Sequence, residues 1–411
     1  MLGQEIKKLV IYTIFLAIII LPMLGFTGGA EFQAERAFLV FGVGVALLVL
    51  NLIVKVIRSR RPPRDHDQPS ITERIGDRLH QVPKIFTLGP LLLAAVLFPL
   101  VADNYMIDVG ITCLIYVCLG LGLNIVVGLC GLLDLGYIAF YAVGAYSYSL
   151  LNLTYGFSFW TALPIGVVMG MICGCIIGYP TLKMRGDYLA IVTLGFGEII
   201  RLVLNNWDDL TAGPNGLFGM KRPPLYYPAF QEGGLEMVTY YLTSLPGLFY
   251  FILAIAIFTT IGVNRLDKSR IGRAWIAIRE DEVAAELSGV PTTWIKLLAY
   301  AMGAGFASIA GAFFAAKLSY VNPNFFLFME SCIVLCIVVL GGIGSIPGII
   351  IAGFILIAVP EVFRELEGFR MLAFGAIMTT MMIIRPEGLI PASRRKREFH
   401  HQRDEAEREP Q

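Results

Sequence analysis

The chain has 411 residues, 56% of them hydrophobic and 15% charged, with a mean hydropathy of +0.72 and a formal net charge of +1. Soluble domains carry about a quarter charged residues, so this composition excludes an ordinary soluble enzyme or binding domain. The near-zero charge balance carries no signal of a nucleic-acid partner, and none is expected. Apolar runs of about twenty residues recur along the chain, the length a helix needs to cross a bilayer core. The expected fold class is all-α, a polytopic transmembrane helical bundle of about 10–12 membrane segments, with short or glycine-broken segments open to a re-entrant path.

In chain order, crossings are expected near 9–26, 38–57, 85–102, 106–127, 131–152, 159–180, 189–206, 241–263, 297–315, 329–346, 347–360 and 371–385. The first follows Lys7 and Lys8 and imitates a signal peptide, with Gly28, Gly29 and Ala30 at a cleavage-like position. Its apolar run of about eighteen residues exceeds the usual 7–15 of a signal core, so a retained helix is expected. Residues 1–57 then form an N-terminal two-helix extension, 58–84 a polar cytoplasmic linker, 85–390 the main bundle, and 391–411 a basic, solvated cytoplasmic tail. With an even number of crossings the termini share a side. The segments on that side hold 24 of the 32 lysines and arginines, against 6 on the other. By the positive-inside rule both termini are expected in the cytoplasm.

Within the bundle, Gly166, Gly170, Gly174 and Gly178 recur every fourth residue, and Gly303, Ala307, Gly311 and Ala315 repeat the pattern. Small residues at this spacing let helix backbones approach closely in lipid. The stretches "GLCGLLDLGYIAFYAVGAY" (128–146) and "GGIGSIPG" (341–348) suggest broken helices, which commonly line transport paths. Glu198 and Arg201 stand one turn apart in an otherwise apolar segment, just after Gly195 and Gly197. The pair either lines a polar path for a substrate carrying both charges or neutralises itself against another helix. Asp134 has the same two readings, beside a third that places it near the cytoplasmic surface. These five residues are the translocation-path candidates. The seven cysteines lie in apolar segments without Cys-x-x-Cys spacing, which points to packing and to no metal site.

The outer loop 207–240 carries Asp208, Asp209, Lys221 and Arg222, rim charges suited to orienting a partner. The loop 264–296 holds "RAWIAIREDEVAAELSGVPTTWIK" (273–296), the most charged stretch between two apolar segments. Asp281 or Glu280 can cap a short helix there, and Gly289 and Pro291 close it. Ile276, Val283 and Leu287 form an apolar stripe, with Arg279, Asp281, Glu282 and Glu286 on a polar side. An acidic polar side suits anionic lipid poorly and a partner protein's groove better.

This stretch looks like the cytoplasmic coupling loop of ABC importer permeases, with pattern Glu-Ala-Ala-x-x-x-Gly. Ala284, Ala285 and Gly289 match it. Val283 occupies the first position, with Glu282 one residue earlier. Together with 120–146, "RGDYLAIVTLGFGEIIRLVLNN" (185–206), "GPNG" (213–216), 272–315 and "RPEGLI" (385–390), it resembles the LivM-type permease of the high-affinity branched-chain amino-acid ABC transporter, a member of the LivH/LivM permease family, over roughly 105–390. The two-helix extension is similar to that of some longer members.

The resemblance implies a membrane subunit that passes leucine, isoleucine and valine inward, with selection resting mostly on a periplasmic branched-chain amino-acid-binding protein that meets the outer loop. Its further partners would be a LivH-type sister permease, two cytoplasmic ATPases of the LivG/LivF type and the lipid of the bacterial inner membrane. Arg273, Arg279, Glu280, Asp281, Glu282, Ala284, Ala285, Glu286 and Gly289 would form the ATPase-coupling contact. No enzymatic activity and no cofactor are expected in this chain, ATP being bound by the partner subunits. The nearest approach to a phosphate-binding loop, "GVNRLDKS" (262–269), has Asp267 where glycine is required. Related permeases carrying urea, amides or other amino acids share the architecture. Two rivals remain. A stand-alone ion-coupled transporter would use Glu198, Arg201 or Asp134 as coupling sites. An intramembrane serine hydrolase built on Ser345 would need a base, and no membrane-segment histidine supplies one.

Overall fold

The computed structural model describes residues 95–362, apart from 101, 183, 185, 232 and 233, together with 375, 379 and 388–390. The crossings expected at 9–26 and 38–57, the linker 58–84 and the tail 391–411 lie outside the described residues, as does most of each of the crossings at 85–102 and 371–385. Helix α1 (Asn104–Leu123) runs on through a π-helical turn (Asn124–Leu129). It is followed by α2 (Ile138–Tyr155), α3 (Phe159–Thr181), α4 (Asp187–Asn206) and the single turn α5 (Asp208–Thr211). After a strand region come α6 (Leu245–Asp267), α7 (Arg270–Glu280), α8 (Glu282–Leu287) and α9 (Thr292–Leu318). The series closes with α10 (Phe328–Gly341) and α11 (Ile346–Val362). Among the described residues, six helical stretches are long and apolar enough to cross a membrane.

Helix α9 is the axis of the bundle, packed against α1, α2 and α3. The two small-residue stripes explain how. A Cβ on Gly174 of α3 would sit 2.9 Å from the Tyr300 carbonyl oxygen, and one on Gly170 would overlap the Ser308 hydroxyl. From α9, a Cβ on Gly311 would overlap the Tyr141 carbonyl of α2, and one on Gly303 would lie 2.7 Å from Val126 Cγ2 in the π-helical turn that follows α1. Side chains are missing where backbones meet, so dispersion contacts accumulate along the whole helix length. The opposite side of α3, with Ile165, Val168, Met169, Ile172 and Ile176, is exposed.

Two expectations are corrected. The crossing placed at 131–152 begins only at Ile138, because residues 131–137 are not helical. Asp134 Oδ1 accepts from Gly136 N at 2.8 Å and Thr193 Oγ1 accepts from Leu135 N at 3.0 Å, so the non-helical backbone is satisfied inside the protein. The outer loop 207–240 is also more ordered than a connecting loop. Strands β2 (Pro224–Gln231) and β3 (Gly234–Tyr241) form an antiparallel hairpin, while β1 (Leu217–Phe218) pairs with β4 (Tyr320–Val321). The loop is tied to α2, since Asn152 Oδ1 accepts from Lys221 N at 2.9 Å. The "GPNG" stretch is held from the far side of α9, where Asn322 Nδ2 donates to the Pro214 carbonyl at 2.6 Å.

Candidate functional site

The charged stretch folds as two helices. Ser269 caps α7, its hydroxyl accepting from Gly272 N at 3.1 Å. Asp281 then leaves the helical region with φ −154° and ψ 111°. Its Oδ1 accepts from Val283 N at 2.8 Å and Ala284 N at 3.0 Å, so Asp281 rather than Glu280 starts α8. Gly289 ends it at φ +84°, a left-handed conformation that glycine adopts without strain.

This hinge splits the expected apolar stripe between two helices. Val283 is 55% and Leu287 84% exposed, and of α8 only Ala285 is buried. The break at Asp281 redirects α8, so residues spaced for one continuous helix no longer share a face with Ile276. Trp294, at the start of α9, is 73% exposed. Inward, α7 instead buries Trp275 and Ile278, residues outside the expected stripe.

The pair α7–α8 is gripped at three points. Trp275 Nε1 donates to the Ile295 carbonyl at 2.7 Å, and Arg279 Nη1 donates to the Gly128 carbonyl of the π-helical turn at 2.7 Å. Glu282 pairs with Lys296 of α9 at 2.5 Å, the lysine side chain being 7% exposed. Gly131 makes room for this, since a Cβ there would lie 2.6 Å from Arg279 Cγ. The nine residues expected to couple therefore divide. Arg279, Glu282 and Ala285 face or hold the bundle, while Arg273, Glu280, Asp281, Ala284, Glu286 and Gly289 are exposed. Of the residues in contact, Trp275 and Lys296 escaped the sequence reading. A lysine opening an apolar run was the available signal for the second.

Beside this grip, three separate motifs meet. Asn124, fully buried in the π-helical turn, accepts from Gly344 N at 2.9 Å, holding the break between α10 and α11 where Gly342 and Gly344 have φ +104° and +85°. The end of "RPEGLI" docks on the same break, with Leu389 N donating to the Leu340 carbonyl at 2.8 Å. A π-helical turn of this kind often marks a functional position.

The path candidates do not form one cluster. Arg201 Nε donates to Glu198 Oε1 at 2.9 Å on a half-exposed flank of α4. Gly195 faces open space, its added Cβ meeting nothing within 4 Å. Gly197 packs instead on Gly136, where an added Cβ would lie 3.0 Å from the Gly136 Cα. Asp134 is 1% exposed, with Oδ1 accepting from Gly136 N.

Long apolar helices packed through glycine, with a charged helix pair fastened to one end, define a multi-pass membrane transport protein. This chain belongs to the branched-chain amino acid transport system permease component family, whose model matches residues 105–385. It is 44% identical, over 76% of both chains, to the high-affinity branched-chain amino acid transport system permease protein LivM of Escherichia coli K12. The LivH permease protein of the same organism is 24% identical over 67% of this chain and 91% of its own. A probable LivM permease of Methanocaldococcus jannaschii is 22% identical over 56% of this chain and 67% of its own. No solved structure matches the chain.

Proposed function

We propose that this chain is the membrane subunit of an ATP-driven importer that passes leucine, isoleucine and valine into the cytoplasm. The observation that carries the mechanism is the α7–α8 pair with the start of α9, which expose Val283, Leu287 and Trp294 while the pair is held to the bundle by partly buried polar contacts. An exposed apolar tip rimmed by Glu280 and Glu286 suits a protein groove. Two cytoplasmic ATPases, one seated on this tip, would supply the energy, and no ATP site is assigned to this chain. A LivH-type permease would complete the passage, and the hairpin side would receive a periplasmic binding protein. In this reading the chain lies in the inner membrane with the α7–α8 pair and both termini in the cytoplasm, residues 1–57 adding two helices ahead of the core and 391–411 a basic tail. It performs no chemistry of its own.

The substrate assignment rests on the LivM relatives, and in this reading the paired Glu198 and Arg201 would line the passage. Such a pair offers a zwitterion both signs without holding either strongly. The test is uptake of labelled leucine by vesicles containing the full set of candidate subunits, with ATP supplied or withheld and urea as competitor. Uptake that needs both ATP and this chain and is indifferent to urea is the expected result. Uptake driven by an ion gradient without ATP overturns the importer reading. ATP-driven uptake of urea alone overturns the substrate.

A further inference from the structure

Helix α9 carries two lysines, Lys296 in its second turn and Lys317 in its last, with no charged residue between them. They stand twenty-one positions apart on the helix, about 31 Å at 1.5 Å per residue. That length is close to the roughly 30 Å hydrocarbon core of a bilayer. Lysines at the two ends of a membrane helix ordinarily extend their ammonium groups into water. Here both turn inward, with side chains 7% and 9% exposed, and each is ion-paired with another element. Lys296 holds Glu282, the first residue of α8, at 2.5 Å. Lys317 holds Asp108, in the second turn of α1, at 2.8 Å.

We propose that α9 is a connecting strut, with Lys296–Glu282 fastening it to the coupling helix and Lys317–Asp108 fastening it to α1 at the opposite membrane face. The inference rests on the importer reading above and assigns that reading its positioning residues. A helix packed along its whole length against α1, α2 and α3 through glycine and alanine does not bend locally, so force applied at one end arrives at the other. The contacts of Trp275 with the Ile295 carbonyl and of Arg279 with the Gly128 carbonyl keep α7 on the same strut end. Movement imposed on α8 then reaches the far side of the membrane through one rigid element, biasing a packing with two arrangements.

The test uses the complete transporter in proteoliposomes and the variants K296M, K296R and K317M. Methionine removes the charge and keeps the length, so the interior stays filled. Two quantities are read: hydrogen exchange of the amides in 282–290, and ATP hydrolysed per leucine imported. The expected result for K296M is exchange raised at least tenfold and an ATP-to-leucine ratio raised at least fivefold, with K296R within twofold of the wild type in both. K317M is expected to raise the ratio similarly while leaving exchange in 282–290 unchanged. Ratios within twofold of the wild type in K296M and K317M, or unchanged exchange in K296M, overturn the strut. Should K296M fail to assemble, K317M at the opposite end carries the same test of coupling. If the wild-type complex imports no leucine with ATP, it is the importer reading that fails, and hydrogen exchange alone then decides whether the lysine fastens α8.

Discussion

Glycines that look alike in the sequence do different work, and substitution separates them. Gly311 of α9 lies against the Tyr141 carbonyl, so G311A forces backbone apart and is expected to cost about 1–3 kcal/mol. Gly195 of α4 faces open space, and G195A is expected to be neutral or to stabilise by up to about 1 kcal/mol through helix propensity. Thermal unfolding in detergent reads both. Leu287 makes a third case. At 84% exposure its replacement by aspartate leaves stability within about 0.5 kcal/mol of the parent. Leucine uptake by the assembled complex is nonetheless expected to fall at least tenfold, because the proposed ATPase contact loses an apolar anchor. An L287D complex with full uptake would remove α8 from the coupling contact.

Among the elements, α8 depends most on a single cap. Six residues cannot hold a helix alone, and Asp281 satisfies two amides that otherwise have no partner within the helix. D281A is expected to cost about 1 kcal/mol locally and to raise hydrogen exchange in 282–288 without altering α9. Exchange unchanged from the parent would show that Lys296 alone secures the helix. Legibility in the sequence stops near this point. The cap, the glycine stop and the short helix are all written in "DEVAAELSG", because capping chemistry is local. The orientation of α8 is not. It depends on a break in φ and ψ at Asp281 and on Lys296, fourteen residues beyond its partner Glu282, and periodicity read across the break joins Val283 and Leu287 to Ile276 in one continuous stripe. The start of α2 at Ile138 was hidden for a similar reason. Apolar Leu132, Leu133 and Leu135 extend the run, while the Thr193 hydroxyl that takes up the Leu135 amide outside a helix comes from another helix. The hairpin after α5 carries tyrosines suited to strands, but its prolines break the alternation that would announce it.

For the whole molecule, composition and helix period sufficed for class. Apolar runs at membrane length and glycines at every fourth position specify a helical bundle in lipid, and the described core has that form. What the sequence could not convey is which motifs meet. The π-helical turn at Asn124, the break at Gly342–Gly344 and the segment 388–390 are far apart in the chain and adjacent in the fold. They lie beside the grip of Arg279 on Gly128, so the end of the bundle that holds α7–α8 is also the end where three helices change course. An importer driven from outside the membrane needs such a junction at the point where force enters.

The most direct measurement places a photoreactive side chain at Leu287 in the complete complex and identifies what it captures, with Ile176 on the exposed side of α3 as the control. The account predicts that Leu287 captures an ATPase subunit in high yield and that Ile176 does not. Capture of lipid alone at Leu287, with the ATPase present and active, would contradict it.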